Sequence, residues 1–212
     1  MIKIDYIDSI KTYIDEYDKT DHQIWNKTEG KIVEVRNTIR KHYLKEQSYC
    51  CAYCKIEKKE THGLTWDIEH ILPKSLFPEY LFEPENLAIA CKECNNPKDA
   101  TNVLTNQSKK PIKYPSRSND YSIVHPHFDK HHEHFEIIVI GKKRIYRILN
   151  EHKASQTYIA CNLSRFDYKF AEWECFDSAI ANEFSAFLDK CPPDANPAEI
   201  KRMLGHMKFV NK

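Results

Sequence analysis

Two Cys-x-x-Cys pairs, Cys51-Ala-Tyr-Cys54 and Cys91-Lys-Glu-Cys94, constrain this chain more than any other feature. Each pair fits a tight turn whose sulfur atoms converge on one tetrahedral cation, and together they supply four soft ligands with no open coordination position. That donor set predicts a closed, structural Zn²⁺ held by Cys51, Cys54, Cys91 and Cys94. The stretch between the pairs is too poor in apolar residues to hold itself together by burial, which argues against two unrelated redox or buried pairs. Cys50 could replace Cys51 in a looser turn, but the tighter spacing makes the better knuckle and leaves Cys50 as a packed neighbour. A chain of 212 residues can bury a core without covalent staples. Its remaining cysteines, Cys161, Cys175 and Cys191, therefore read as core residues in aromatic-rich helical surroundings.

No stretch approaches the ~20 apolar residues of a membrane span, and the first residues, MIKIDYIDSIK, mix acids into their apolar pattern. The expectation is a soluble, cytoplasmic protein without membrane contact. A net charge of +1 excludes the strongly basic footprint of many sequence-independent nucleic-acid binders. Charge is nevertheless uneven: residues 46–97 hold nine acidic and five basic side chains, whereas residues 98–153 hold six and eleven. A basic strip beside an acidic one suits a phosphate-binding surface next to a cation site, and a solvated loop would give the same count.

Apolar periodicity orders the rest. Ile4, Ile7, Ile10, Ile14 and Tyr17 predict one amphipathic helix, and Ile32, Val35, Ile39 and Tyr43 a second that runs into the first cysteines. THGLTWDIEHILP and NLAIAC are short strand-like runs. Residues 99–122 lack periodicity and read as a long basic loop. FEIIVI and KRIYRI alternate around Gly141 and Lys142 as a β-hairpin would. Phe176, Ile180, Phe184 and Phe187 predict a further helix, and Ile200, Met203, Leu204 and Met207 another, flagged by Asn196 and Pro197. The fold class is α+β.

Between the knuckles lies Trp66-Asp67-Ile68-Glu69-His70-Ile71-Leu72-Pro73, and Glu85-Asn86-Leu87 then leads into Cys91-Lys-Glu-Cys94-Asn95-Asn-Pro-Lys98. The order Cys-x-x-Cys, acid-His-Ile-x-Pro, Asn-Leu, Cys-x-x-Cys-Asn-x-x-Lys resembles the zinc-knuckle branch of the His-Asn-His (HNH) endonucleases. Their fold is a β-hairpin followed by a helix around one metal. The resemblance implies Glu69 and Asn95 as ligands of a catalytic cation, His70 as general base and Asn86 as the residue that fixes the loop. The family more often has Asp or His at the position of Glu69. With the periodicity of the flanks, the expected domain plan is an N-terminal helical segment (1–45), the HNH core (46–110), a basic loop, histidine-rich segment and hairpin (111–150), and a C-terminal helical region (151–212).

The residue chemistry fits the same roles. A neutral imidazole has about the basicity needed to deprotonate a water near neutral pH. Oxygen ligands from Glu69 and Asn95 suit a hard ion, Mg²⁺ or Mn²⁺. On a strand Glu69 and His70 point to opposite sides, so the strand must bend or the cation must sit where hairpin meets helix. Lys98, one turn beyond Asn95, is placed to hold a phosphate. Taken alone, Asn86 could be a turn former and Asn95 a helix cap for a helix opened by Pro97.

Nucleic acid is the expected partner, DNA before RNA. Backbone contacts are expected from Lys109, Lys110, Lys113, Tyr114 and Arg117 in the basic loop and from Lys142, Lys143, Arg144 and Arg147 in the hairpin. A non-catalytic zinc-knuckle binding module is the rival reading. The segment 125–134, HPHFDKHHEH, packs five histidines together; it reads as an exposed lead-in to the hairpin, or as a second metal site or substrate-positioning element. The flank from Tyr158 through Leu163 to Arg165, with the YCAYC lead-in, resembles bacterial HNH nucleases that work beside an ABC-type or SMC-like ATPase in Septu-type or retron antiphage defence.

Overall fold

The computed structural model describes residues 1–140 and 143–170. They divide into two compact units. The first comprises Met1–Phe135 with Leu149–Leu163, and the second contains, of the described residues, those of 136–148 and 164–170. The C-terminal helices expected around Phe176–Phe187 and Ile200–Met207, and the core roles of Cys175 and Cys191, fall outside the described residues. The fold class is α+β.

In the first unit, α1 (Asp8–Asp15) is shorter than the apolar repeat suggests. Ile4 lies before it in extended chain and is buried, with its N–H donated to Tyr43 Oη (3.2 Å). Helix α2 (Lys31–Glu46) follows the expected period and buries Ile32, Val35, Ile39, Tyr43 and Leu44. It packs on both strands of a two-stranded antiparallel sheet, β1 (Trp66–His70) and β2 (Leu87–Cys91). The register pairs Asp67 with Ala90, Glu69 with Ala88 and His70 with Leu87.

Directly opposed residues of an antiparallel pair share a face, so the two acids stand over two alanines. Those small side chains leave room for α3 (Lys92–Lys98), which packs against both strands. α3 begins at Lys92, with Pro97 inside its last turn. The sequence expectation that Pro97 opens the helix is therefore corrected: Cys91, in extended conformation, precedes the first turn, and Asp99 at φ +39° ends the helix. The free edge of β2 is closed by a side chain, since Gln47 accepts from Ile89 N (2.7 Å) and donates to Ile89 O (2.8 Å).

The basic loop is anchored by apolar residues absent from its charge pattern. Val103, Leu104, Tyr121, Ile123 and Val124 are buried, and Leu104 bridges Tyr121. The histidine-rich segment is correspondingly not a uniformly exposed lead-in. His125 and His134 are buried, His127 donates to Leu87 O (2.8 Å) and His131 to Tyr53 O (2.8 Å), while His132 is exposed. A short α4 (His131–His134) leads to β3 (Phe135–Ile140), which pairs with β4 (Lys143–Ile148). Helix α5 (Glu151–Ala160) belongs to the first unit; in the second, α6 (Ser164–Phe170) packs on β4. No helix among the described residues is long and apolar enough to cross a membrane.

Burial sets a pH dependence. It depresses His131 to about 4, with Lys55 adding to the effect. It also holds His125 well below 6.5, helped by His127 and Lys153, and lowers His127. These rings stay neutral in the native state where the unfolded chain would protonate them. Stability is then complete above pH ~6.5 and falls as pH drops toward 4, by up to ~1.4 kcal/mol per pH unit for each ring. Urea unfolding is expected to show a falling midpoint from pH 7 to 4.5, with a shallower fall for His131→Gln.

Candidate active site

The sulfur cluster is built by three elements. Cys51 and Cys54 lie in the turn after α2, Cys91 ends β2, and Cys94 is in the first turn of α3. All four thiols are buried, their sulfur atoms lie within 4.8 Å of one another, and Cys54 and Cys91 Sγ are 3.7 Å apart. A tetrahedral site with metal–sulfur bonds of about 2.3 Å needs sulfur–sulfur separations of about 3.8 Å. Cys91 N donates to Cys51 Sγ (3.4 Å), a bond that favours thiolate.

The four thiols also act on one another's charge. Against its burial, hydrogen bonds from Cys54, Cys91 and Cys94 hold the Cys51 thiol well below its ordinary value, whereas sharing with Cys51 pushes Cys54 and Cys94 far up. A divalent cation would stabilise thiolates packed this closely. The residues fit such an ion. Cys50 stands outside the four, its Sγ on Ser48 O (3.5 Å).

The knuckle also reaches β1. Tyr53, within the first Cys-x-x-Cys, donates its hydroxyl to Glu69 Oε1 (2.8 Å). Lys98 Nζ lies 2.6 Å from the same oxygen and donates to His70 O (3.3 Å). Glu69 and Lys98 are both buried, and burial raises the Glu69 carboxyl despite the opposing pull of Lys98 and Tyr53. The expected phosphate contact at Lys98 is thereby corrected. With no exposed surface and its ammonium committed to Glu69, Lys98 neutralises the core and cannot reach a ligand in solvent.

Asn95 meets a partner that sequence reasoning missed. Its Nδ2 donates to Asp67 Oδ2 (3.0 Å), and Lys92 Nζ donates to Asp67 Oδ1 (2.8 Å). Lys92, Asn95 and Lys98 follow one another at steps of three along α3, so they form a row over the acids that alternate along β1. Asp67 accepts only, which fixes the Asn95 amide with nitrogen toward the carboxylate and leaves Oδ1 as an acceptor. Both contacts of Glu69 fall on Oε1. Glu69 Oε2 and Asn95 Oδ1 are thus without a hydrogen-bond partner among the described residues.

His70 occupies the other face of β1. Its ring meets Trp25 edge-on at 4.5 Å, and its Nε2 lies 3.1 Å from Leu81 O. A carbonyl can only accept, so Nε2 carries the proton and Nδ1 keeps the lone pair. Burial, reinforced by Lys74, lowers its pKa to about 3, so the ring is neutral. Asn86, also buried, accepts from Leu72 N (2.7 Å) and donates to Leu72 O and Tyr80 O (both 3.1 Å). Ile71 N donates to Asn86 O (2.9 Å), so the chain leaving His70 is held at two successive residues.

The expected substrate contacts are dispersed. Lys109 and Lys113 are exposed, Lys110 pairs with Glu79 (3.0 Å), and Arg117 pairs with Asp120 (3.0 Å). In the second unit Arg147 pairs with Glu136 and Arg144 is half-buried; Lys142 lies outside the described residues and the Lys143 side chain is likewise not described. Among the described residues the cysteine cluster is the one group of three or more His, Cys, Asp or Glu side chains that could hold a metal, so the histidine-rich segment supplies no second site there.

Residues 51–101 match the family model of the HNH endonucleases. The match takes in both knuckles, Glu69, His70, Asn86, Asn95 and Lys98, and leaves α2 and everything after Thr101 outside it. No curated protein and no solved structure matches the chain.

Removing one partner of a buried ion pair leaves the other charge uncompensated, at about 3–5 kcal/mol. Lys98→Ala is expected to lose that much in urea unfolding, and Lys98→Met with Glu69→Gln to recover most of it.

Proposed function

We propose that this chain is a metal-dependent endonuclease that hydrolyses phosphodiester bonds, with DNA as its preferred substrate. The observation that carries the reading is the state of His70. It is a neutral, buried imidazole with Nε2 tied to Leu81 O and its lone pair on Nδ1, one residue from Glu69 inside the stretch that matches the HNH endonucleases.

In this reading the cysteine cluster holds a structural Zn²⁺, and Glu69 Oε2 and Asn95 Oδ1 hold a Mg²⁺ or Mn²⁺. When bound, that second ion supplies positive charge to the phosphate and to the departing oxygen. His70 Nδ1 takes the proton of the attacking water, and Leu81 O stabilises the imidazolium through Nε2–H. An arriving phosphate anion raises the depressed basicity of the ring toward the working range. Asn86 keeps the turn after His70 in place.

The phosphate contact passes from Lys98 to Lys74. Lys74 is half-buried in the turn after β1, its charge is felt by His70, and it has no hydrogen bond or ion pair among the described residues. Lys109 and Lys113 are the exposed cations left to track the backbone farther out. The reading extends to antiphage defence beside an ABC-type or SMC-like ATPase, on the likeness of the Tyr158–Arg165 flank; co-purification of a stable complex from the native host tests that extension.

The direct test incubates zinc-matched wild-type and His70→Ala proteins with plasmid, single-stranded DNA and tRNA, with Mg²⁺, with Mn²⁺ or with chelator. Cation-dependent cleavage is expected, lowered by roughly 10²–10⁴-fold in the variant. Preferential tRNA cutting would replace DNA as substrate, and equal cutting by both proteins would remove His70 from its role. Wild-type protein that binds nucleic acid and cuts nothing would favour the non-catalytic module. Lys74→Gln is expected to raise KM and to flatten the dependence of binding on salt by about one charge.

Cys91→Ser is expected to abolish stoichiometric zinc, measured by elemental analysis, and to lower the melting temperature. Retention of a full equivalent of zinc would refute the ligand assignment.

A further inference from the structure

Asn86 is supported from outside the HNH match. Tyr114 Oη lies 3.0 Å from Glu85 O and 3.3 Å from Asn86 Oδ1, and His125 Nε2 lies 3.0 Å from the same hydroxyl. The directions of these bonds follow from their chemistry. His127 N donates to His125 Nδ1 (3.2 Å), so the neutral His125 ring carries its proton on Nε2 and gives it to Tyr114. The tyrosine's single proton is then shared between Glu85 O, the nearer acceptor, and Asn86 Oδ1.

His125 has little freedom to do otherwise. It is fully buried, it stacks on Phe128 with centroids 4.2 Å apart, and its N–H donates to Asp129 Oδ2 (2.7 Å). Asp129 is in turn held by Lys153 (2.5 Å) and Ser118 (2.6 Å). A chain of hydrogen bonds thus runs from His125 through Tyr114 to Asn86 Oδ1, which also accepts from the N–H of Leu72, two residues beyond His70.

We propose that Tyr114 and His125 are positioning residues of the catalytic centre, fixing the Asn86 amide and through it the segment that carries His70. The inference rests on the nuclease reading above. It gives the basic loop and the histidine-rich segment a common task that neither charge nor metal binding supplies, and it makes residues 51–101 insufficient for full activity. Tyr43 and His127 add backbone anchors on the same stretch, at Pro84 O (2.7 Å) and Leu87 O (2.8 Å), but they do not touch the Asn86 side chain.

The test uses the full zinc-loaded chain and three variants. Tyr114→Phe removes one hydroxyl, His125→Leu removes the donor, and His125→Gln keeps an N–H at nearly the reach of Nε2. Tyr114→Phe and His125→Leu are expected to lower kcat by about tenfold or more, the scale seen when outer-shell partners are lost. KM for the nucleic acid should stay within about twofold and the zinc content at one equivalent, and His125→Gln should recover most of the loss. Amide hydrogen exchange supplies a readout independent of cleavage: Leu72 N–H is expected to exchange faster in the two damaging variants while Ile68 and Ile89 stay unchanged. Wild-type cleavage that Tyr114→Phe leaves undiminished overturns this proposal alone, as does an unchanged Leu72. A loss that His125→Gln shares, or one that lowers zinc content, assigns the pair to general folding instead. Wild-type protein that cuts nothing defeats the nuclease reading and this inference with it.

Discussion

Four sulfur atoms within 4.8 Å of one another decide where α3 starts relative to the β1–β2 hairpin. Cys91 closes a strand and Cys94 opens a helix, so their distance from Cys51 and Cys54 sets both the origin and the direction of that helix. Once the origin is set, Lys92, Asn95 and Lys98 fall in line over Asp67 and Glu69 without further choice, because a helix repeats a face every three to four residues and a strand every two. Ala88 and Ala90 make the approach possible, since a larger side chain at either would hold the helix off the acids. Burial alone could not do this for a segment with so few apolar residues.

The same docking places charge in the core. Coulomb attraction between Glu69 and Lys98 is strong at 2.6 Å, but removing both groups from water costs several kcal/mol per ion. The pair is therefore better understood as a constraint than as a source of stability. It keeps one carboxylate oxygen occupied and fixes the orientation of the other, with Tyr53 adding a bond from the knuckle itself. The turn that carries Cys51 and Cys54 thus also orients Glu69, through Tyr53.

Much of this was legible in the sequence, for physical reasons that differ by residue. The sulfur cluster could be read because ligand spacing is a strong local rule, and α2, β1, β2 and the β3–β4 hairpin because their apolar periods agree with tertiary burial. Lys98 was misplaced because spacing gives the face of a helix and not whether that face is covered; nothing in Asn-Asn-Pro-Lys says that two acids lie beneath it. Asp67 was passed over because its bond to Asn95 depends on strand register. Tyr114 was read as a surface contact from the charge of its neighbours, yet its ring is drawn inward by Tyr80 and Tyr121. His125 lies in a run of histidines whose composition suggests solvent or metal, whereas the rings of Phe128 and Tyr121 against it make it interior.

Adjacent residues on a strand face opposite ways, and the proposed chemistry needs Glu69 and His70 to serve one phosphate. His70 is the last residue of β1, opposite Leu87 at the start of β2, and the one backbone bond just past that pair is Ile71 N to Asn86 O. Each group then needs its own support, because the sheet no longer orients both. Glu69 takes its support from α3 and the knuckle, through Lys98 and Tyr53. His70 takes its support from Leu81 O and from the Asn86 bonds to the chain that follows it. The two supports differ in origin, yet they meet at Lys98, which pairs with Glu69 and donates to His70 O, so a substitution there disturbs both neighbours.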